Sequence, residues 1–304
     1  VTLQFLNIPP PYTDRDRARV VVIPVPFDST TTYKAGARDG PASIISASPH
    51  MEFYDEETDS EIYEWGIHTI DPVEPVLPPE EMVARVRDVA EEIIAAGKLP
   101  VTLGGDHSVS IGAIEAAHRL NGPLNIVHFD AHTDLRDSYQ GSLYSHACVM
   151  RRVWSLGTVM QVGIRSLSKE EKDFLTEQQS RPIWARDLLA DRNRCVDRLL
   201  RGLKDLPTYV TIDLDCLDPS IMPAVGTPEP GGLAWADITA FLKALARTTR
   251  IVGFDVVELS PIPGYHAADF TAARLVYKFL SYILWAEGLR GGRPGLDEKD
   301  LYAR

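Results

Sequence analysis

The sequence predicts an α/β fold in which one mainly parallel sheet is covered by helices on both faces. Short β-branched runs alternate with helix-length segments from residue 18 to residue 287. Several of the short runs, Leu124–Phe129 above all, are largely apolar at successive positions, as in strands buried on both sides. In addition, the acidic and imidazole residues gather just after these runs, at the sheet edge where open parallel sheets bind their ligands.

In chain order, residues 18–26 are a β-branched run bounded by proline and read as the first strand. The loop 27–41 carries Gly36 and Gly40 and is expected on the functional side, and Pro41 opens a helix to about residue 54. The acidic stretch 55–64 reads as a solvated loop, with Glu57, Asp59 and Glu61 facing water, and 67–70 as a short strand. Residues 79–97 form an amphipathic helix: Met82, Val83, Val86, Val89, Ala90, Ile93 and Ile94 recur at helical spacing and Gly97 stops it. A strand at 99–103, a helix at 108–120 and the strand Leu124–Phe129 follow. A helix at 149–155 and a strand at 159–164 precede a helix that Ser168 caps, with Glu171 three residues on completing a capping box. The alternation then runs through a strand at 182–184, a helix at 193–203, strand 208–214, helix 235–247, strand 251–259 and a closing helix at 267–287. The Gly/Pro-rich end, 288–304, reads as a tail. With no internal repeat or linker, residues 1–304 are expected to form one domain.

Composition narrows the function classes. The net charge of −12 disfavours nucleic acid and anionic membrane surfaces as partners. No apolar run is long enough to span a bilayer, and the first 19 residues lack the pattern of a secretory signal. Three cysteines at unpatterned spacing (Cys148, Cys195, Cys216) argue against a disulfide framework and for a reducing, cytoplasmic setting.

The chemistry sits at three strand ends. Gly104-Gly105-Asp106-His107-Ser108 follows one strand, and Asp130, His132 and Asp134 follow a second. The third strand ends in Asp213-Leu214-Asp215. Asp213 and Asp215, two residues apart, share a side in an extended chain, where two unpaired carboxylates repel. A divalent cation removes that repulsion. An oxygen-dominated set with two imidazoles suits Mn²⁺ better than a thiolate-type zinc site. Four aspartates and two histidines are too many ligands for one ion and suit two ions sharing carboxylates. Taken singly, these residues have plainer roles. Asp106 reads as a helix cap, Asp218-Pro219 as a turn, His128 as a packed strand residue and Cys216 as a buried thiol. Convergence of three separate strands on one edge is what favours the metal site.

These stretches resemble the ureohydrolase family of arginases, agmatinases and formiminoglutamases. The resemblance rests on residues 104–108, 129–134 and 213–219, and on Gly-Thr-Pro-Glu-Pro-Gly-Gly-Leu (226–233) and Asp-Val-Val-Glu-Leu-Ser-Pro (255–261). It implies a three-layer α/β/α sandwich and two Mn²⁺ ions. His107, Asp130, Asp134 and Asp213 would hold one ion; His132, Asp130, Asp213 and Asp215 would hold the other. Glu258 would receive the substrate guanidinium, Asp134 would orient a metal-bridging hydroxide and protonate the leaving amine, and His146 would exchange protons with solvent. Arginases carry asparagine where this chain has Arg136, and the segment around Tyr144-Ser145-His146-Ala147 looks most like agmatinases. The departures are Ala147, where glycine is common, and Ile45-Ser46, where an arginine is common. The resemblance therefore implies a small cationic guanidino substrate, agmatine, cleaved to putrescine and urea by a homo-oligomer (trimer or hexamer). Alternatives are another guanidino substrate, such as arginine or guanidinobutyrate, and a catalytically silent metal-binding relative.

Overall fold

A computed structural model describes residues 3–289. Its strands are β1 (Val20–Val25), β2 (Ile67–Thr69), β3 (Leu99–Gly104), β4 (Leu124–Phe129), β5 (Gly157–Ile164), β6 (Ile183–Trp184), β7 (Thr208–Asp213) and β8 (Ile251–Val257). They form one sheet in the order β2-β1-β3-β8-β7-β4-β5-β6, and every pairing is parallel. The helices are α1 (Gly40–Ala47), α2 (Pro79–Ala95), α3 (Ser110–Asn121), α4 (Val149–Val153), α5 (Lys169–Glu177), α6 (Ala185–Ala190), α7 (Arg192–Gly202), α8 (Trp235–Thr248) and α9 (Ala267–Leu289).

The sheet is the middle layer of an α/β/α sandwich, and the side-chain alternation of its strands shows why. Val20 and Val22 enter one core while Val21, Ile23 and Val25 enter the other. The first core is closed by α1, α7, α8 and α9, through residues such as Ile44, Leu199, Phe241 and Phe279. The second is closed by α2, α3, α4 and α5, through Met82, Ile114, Met150 and Leu175. Burial on both faces is what makes these strands read as near-continuous apolar runs.

The expected elements differ from the observed ones in a few places. The helix expected at 41–54 ends at Ala47, and a 3-10 turn at Ser48–His50 replaces its continuation. Pro49 has no N–H to return to the Ile45 carbonyl, which accepts from the Ser48 hydroxyl instead at 2.7 Å. The helix expected from Ser108 begins instead with a 3-10 turn, His107–Val109. Helix α6 has no counterpart in the expectation, because six residues are too few to show a helical period. The last strand stops at Val257, two residues short, since Glu258 turns into the left-handed region at φ 67°.

The acidic stretch 55–64 is corrected in part: Glu57, Asp59 and Glu61 are exposed as expected, but the segment also anchors a buried lysine. Asp55 is fully buried, and Asp55, Glu56 and Glu57 surround the Lys278 ammonium of α9 at 2.9, 3.0 and 3.1 Å. Glu57 also accepts from Tyr282 Oη and Lys243 Nζ, both at 2.8 Å. A lysine inside a helix interface needs counter-charges, and this segment supplies them. Of the tail expected at 288–304, Gly288 and Leu289 instead continue α9, and the rest lies outside the described residues.

Candidate metal centre

Four neighbouring strands in the middle of the sheet, β3, β8, β7 and β4, all deliver charged residues at their carboxyl ends. After β3, Gly105 passes so close to Phe27 that a Cβ there would sit 1.9 Å from the Phe27 carbonyl oxygen. The missing side chain lets the chain turn straight into His107. After β4 come Asp130, His132 and Asp134, the last in the left-handed region at φ 51°. β7 ends on Asp213 and passes through a 3-10 turn carrying Asp215. β8 is followed by Glu258, whose backbone N–H bonds to the Gly105 carbonyl (2.8 Å). Left-handed backbone at Asp134 and Glu258 costs on the order of 1–3 kcal/mol each, and such strain gathers at functional sites.

The side chains converge on two points. Around His107 Nδ1 stand oxygens of Asp134 (3.1 Å), Asp130 (3.2 Å) and Asp213 (3.3 Å). Around His132 Nδ1 stand Asp215 Oδ2 (2.9 Å) and Asp130 Oδ1 (3.4 Å). Asp130 belongs to both groups: its Oδ2 faces His107 and its Oδ1 faces His132. Asp213 turns Oδ2 to His107, while its Oδ1 accepts the Asp215 N–H at 2.8 Å.

The chemistry of this set demands cations. His107 Nδ1 is buried and makes no hydrogen bond despite its three carboxylate neighbours. Its other nitrogen, Nε2, lies 2.9 Å from Thr211 Oγ1, and that hydroxyl donates to Asp255 Oδ1 at 2.6 Å. Having given its only proton to a carboxylate, Thr211 can only accept from His107, so Nε2 carries the ring proton and Nδ1 presents a lone pair. Four electron-pair donors converging inside a protein require a cation. Burial lowers the His107 pKa, but the carboxylates of Asp130, Asp134 and Asp213 outweigh it and hold it well above the usual value. Burial and mutual repulsion likewise push Asp213, Asp215 and Asp134 upward. Two divalent ions fit this inventory, one beside His107 and one beside His132, with Asp130 between.

Beneath the cluster lies one polar row. Register places Thr102, Asp255, Thr211, His128 and Gln161 side by side across β3, β8, β7, β4 and β5, all buried. Nothing in the sequence announces this row, because each member lies in a different apolar run. Only the strand order brings them together.

Above the cluster a pocket of about 290 Å³ is walled by His132, Asp134, Arg136, Tyr139, His146 and Thr227, among others. His146 stands between Thr32 Oγ1 (2.9 Å to Nε2) and the edge of the Tyr139 ring, and burial lowers its pKa. Thr30 and Thr32, from the loop expected on the functional side, hold it: Thr30 Oγ1 also accepts the His146 backbone N–H. Glu229, from the 226–233 stretch, reaches to 3.9 Å from His132 Nε2 and is not among the expected site residues. A larger cavity of about 530 Å³ beside α6 and α7 contains none of these residues.

The plainer expectations hold elsewhere. Asp106 caps the 3-10 turn at Ser108 and also accepts from Thr30. Asp218 closes a turn through Ser220 and the N–H groups of Gly231 and Gly232, which with the Ser220 hydroxyl hold its pKa at about 2. Cys216 is a buried thiol. His128 is packed, and its Nε2 lies 2.7 Å from Asp130 Oδ2.

The arginase family model matches residues 18–281 of this chain. The chain belongs to the arginase family. Two similar relatives are the N(1)-aminopropylagmatine ureohydrolases of Synechocystis sp., 38% identical over 90% of this chain and 91% of that protein, and of Thermus thermophilus, 39% identical over 93% and 94%. An agmatinase of Pyrococcus horikoshii is 36% identical over 88% and 93%. Among solved structures, the agmatine ureohydrolase of Thermoplasma volcanium superposes with a TM-score of 0.85 at 30% identity, covering 95% of this chain and 97% of that one. The family's sandwich is the fold described above, and the buried His/Asp cluster is the dinuclear metal site of an amidinohydrolase. No helix among the described residues is long and apolar enough to cross a membrane.

Proposed function

We propose that this enzyme is a dimanganese ureohydrolase that releases urea from an agmatine-type guanidino substrate, with N(1)-aminopropylagmatine ahead of agmatine itself. The observation that carries the ureohydrolase reading is the paired cluster sharing Asp130, at the floor of a pocket and flanked by a buried carboxylate, Glu258. The relatives named for N(1)-aminopropylagmatine, at 38–39% identity against 36% for the Pyrococcus agmatinase, support the longer substrate.

In this reading His107, Asp130, Asp134 and Asp213 would hold one Mn²⁺, and His132, Asp130, Asp213 and Asp215 would hold the other. The ions supply a nucleophile at neutral pH by lowering the pKa of bound water. Glu258 receives the guanidinium, whose planar fork of donors matches a carboxylate. Its Oε1 is already steadied by the His107 N–H at 2.8 Å. Asp134 would orient the nucleophile, take its proton as the nucleophile's oxygen bonds to the guanidinium carbon, and pass that proton to the nitrogen of the C–N bond that breaks, releasing urea and the amine. His146 exchanges protons with solvent; with its pKa lowered by burial, it is a neutral base at pH 7.

A second reading has one observation in its favour. Arg136 lines the same pocket, its guanidinium 5.1 Å from the Tyr139 ring, and a fixed cation there suits an anionic tail. The test is urea release by the purified, Mn²⁺-loaded enzyme from N(1)-aminopropylagmatine, agmatine, arginine and guanidinobutyrate. The highest kcat/KM is expected for N(1)-aminopropylagmatine. A clear preference for guanidinobutyrate would move the assignment to guanidino acids, and no urea from any of the four would refute the ureohydrolase reading.

A further inference from the structure

His128 and His107 are buried histidines with ring centroids 5.2 Å apart, and both approach Asp130 Oδ2. By residue type and position alone, His128 could be counted as a ligand of the same ion, beside His107, Asp130 and Asp134. Its surroundings decide otherwise.

The deciding group is Gln161, paired with His128 across β4 and β5. Gln161 Nε2 lies 2.8 Å from the Thr133 carbonyl oxygen and 3.0 Å from His128 Nδ1. A backbone carbonyl only accepts, so the amide nitrogen must be the end that faces it. The same amide nitrogen then donates to His128 Nδ1, which must offer a lone pair. The ring proton is left on Nε2, pointing at Asp130 Oδ2. A neutral histidine that bound metal through Nε2 would carry its proton on Nδ1, where it would meet the Gln161 N–H donor head on.

The two histidines are therefore set in the same Nε2–H tautomer by the same polar row, but with opposite ends of the ring toward the cluster. Thr211 and Asp255 place the His107 proton away from the cluster, and Gln161 places the His128 proton toward it. Asp130 gains one protein donor on each oxygen: the His132 backbone N–H on Oδ1 at 2.5 Å and His128 Nε2–H on Oδ2 at 2.7 Å. A carboxylate oxygen has two lone pairs, so each keeps one for an ion on its own side. We infer that His128 is a positioning residue that donates to the shared carboxylate, fixing its orientation between the two ions, and is not itself a ligand. Gln161 sets its tautomer.

The inference rests on the metal assignments proposed above but not on the choice of substrate, so Mn²⁺ binding is the primary measurement. His128→Phe removes the donor, and His128→Gln puts an amide N–H near the same place. Calorimetric or competition titration with Mn²⁺ is expected to show about 10–100-fold weaker binding for His128→Phe and recovery of most of that loss in His128→Gln. Gln161→Glu, which turns the donor facing Nδ1 into an acceptor, is expected to weaken binding in the same way. Thermal melting of each metal-free variant against the metal-free parent separates this from general unfolding. In ¹⁵N-labelled protein loaded with ¹¹³Cd²⁺, the ring signals lost in His128→Gln should show a protonated Nε2 and no coupling to cadmium. Parent-like Mn²⁺ affinity in a folded His128→Phe, or cadmium coupling at His128, would overturn the inference. Failure of the parent itself to bind Mn²⁺ would overturn the metal assignments as well.

Discussion

Glu258→Gln is the substitution that most directly probes how the guanidinium is held. Glu258 is only 8% exposed, and its Oε1 already accepts the His107 backbone N–H at 2.8 Å. Burial and the nearby Asp106 carboxylate push its pKa up, so a cation beside it is needed to favour the ionised form. A bound guanidinium supplies it. In the glutamine variant Oε1 still accepts from His107, but the other terminus becomes an N–H donor facing guanidinium donors. Breaking a buried ion pair from one side costs about 3–5 kcal/mol. That corresponds to a fall of roughly two to four orders of magnitude in kcat/KM. The control is built in: because the His107 N–H keeps its acceptor, Mn²⁺ affinity should match the parent. The assay is steady-state urea release beside Mn²⁺ titration of the same preparation. A loss below about tenfold in kcat/KM, equivalent to about 1.4 kcal/mol, would refute the role given to Glu258. A large loss accompanied by weakened Mn²⁺ binding would show that Glu258 acts through His107 instead.

Other perturbations separate the remaining parts. Asp134→Asn should lower kcat by about 10²–10⁴-fold with the fold intact by circular dichroism, as expected for a lost proton-transfer group; unchanged turnover would exclude Asp134 from the chemistry. Chelation should abolish urea release and lower Tm, and Mn²⁺ restored to about 100 times its Kd should return about 2.7 kcal/mol of stability per site. Thr211→Val leaves the buried His107 N–H without an acceptor, a cost of about 1–3 kcal/mol visible in denaturant melts and in Mn²⁺ affinity. Acid should loosen the Lys278 cluster. Glu57, partly desolvated but held by Lys243, Tyr282 and Lys278, has its pKa lowered from 4.5 to about 2. A depressed carboxylate stabilises the fold above its unfolded pKa, and that contribution is lost as pH falls from about 4.5 toward 2. For a sheltered group the drop is worth about 3 kcal/mol; with 35% of the side chain exposed, about half of that is expected. Glu57→Gln should therefore destabilise the metal-free protein at pH 6 and converge with the parent near pH 2. Equal melts at pH 6 would count against the cluster.

What could be read from the sequence was whatever a single strand end carries. Asp130, His132 and Asp134 follow an apolar run, and parallel topology alone places them beside His107, Asp213 and Asp215. Relations between distant segments were not legible. Asp55 and Glu57 look like any acidic surface loop until α9, more than 200 residues later, brings Lys278 against them. His128 reads as packed and is so, but its partner Gln161 on β5 depends on register between strands. Pairing is set by the whole sheet, and a one-residue slip would send every side chain to the opposite face.

The backbone donors divide the labour within the cluster. Asp130 accepts the N–H of His132, Asp213 that of Asp215, Asp215 that of Ala131, and Glu258 that of His107. Each of these four carboxylates is thus tied to the main chain, which offsets part of the cost of crowding like charges in a buried site. Among the described hydrogen bonds, Asp134 has no such tie; its carboxylate meets only the His107 ring, at 3.1 Å. It also faces the pocket, from a residue held in left-handed backbone. A group that must orient a nucleophile and then carry a proton to a leaving amine cannot be pinned through both oxygens. The four anchored carboxylates therefore fit a holding role, and Asp134 is the one whose free oxygen suits the chemistry.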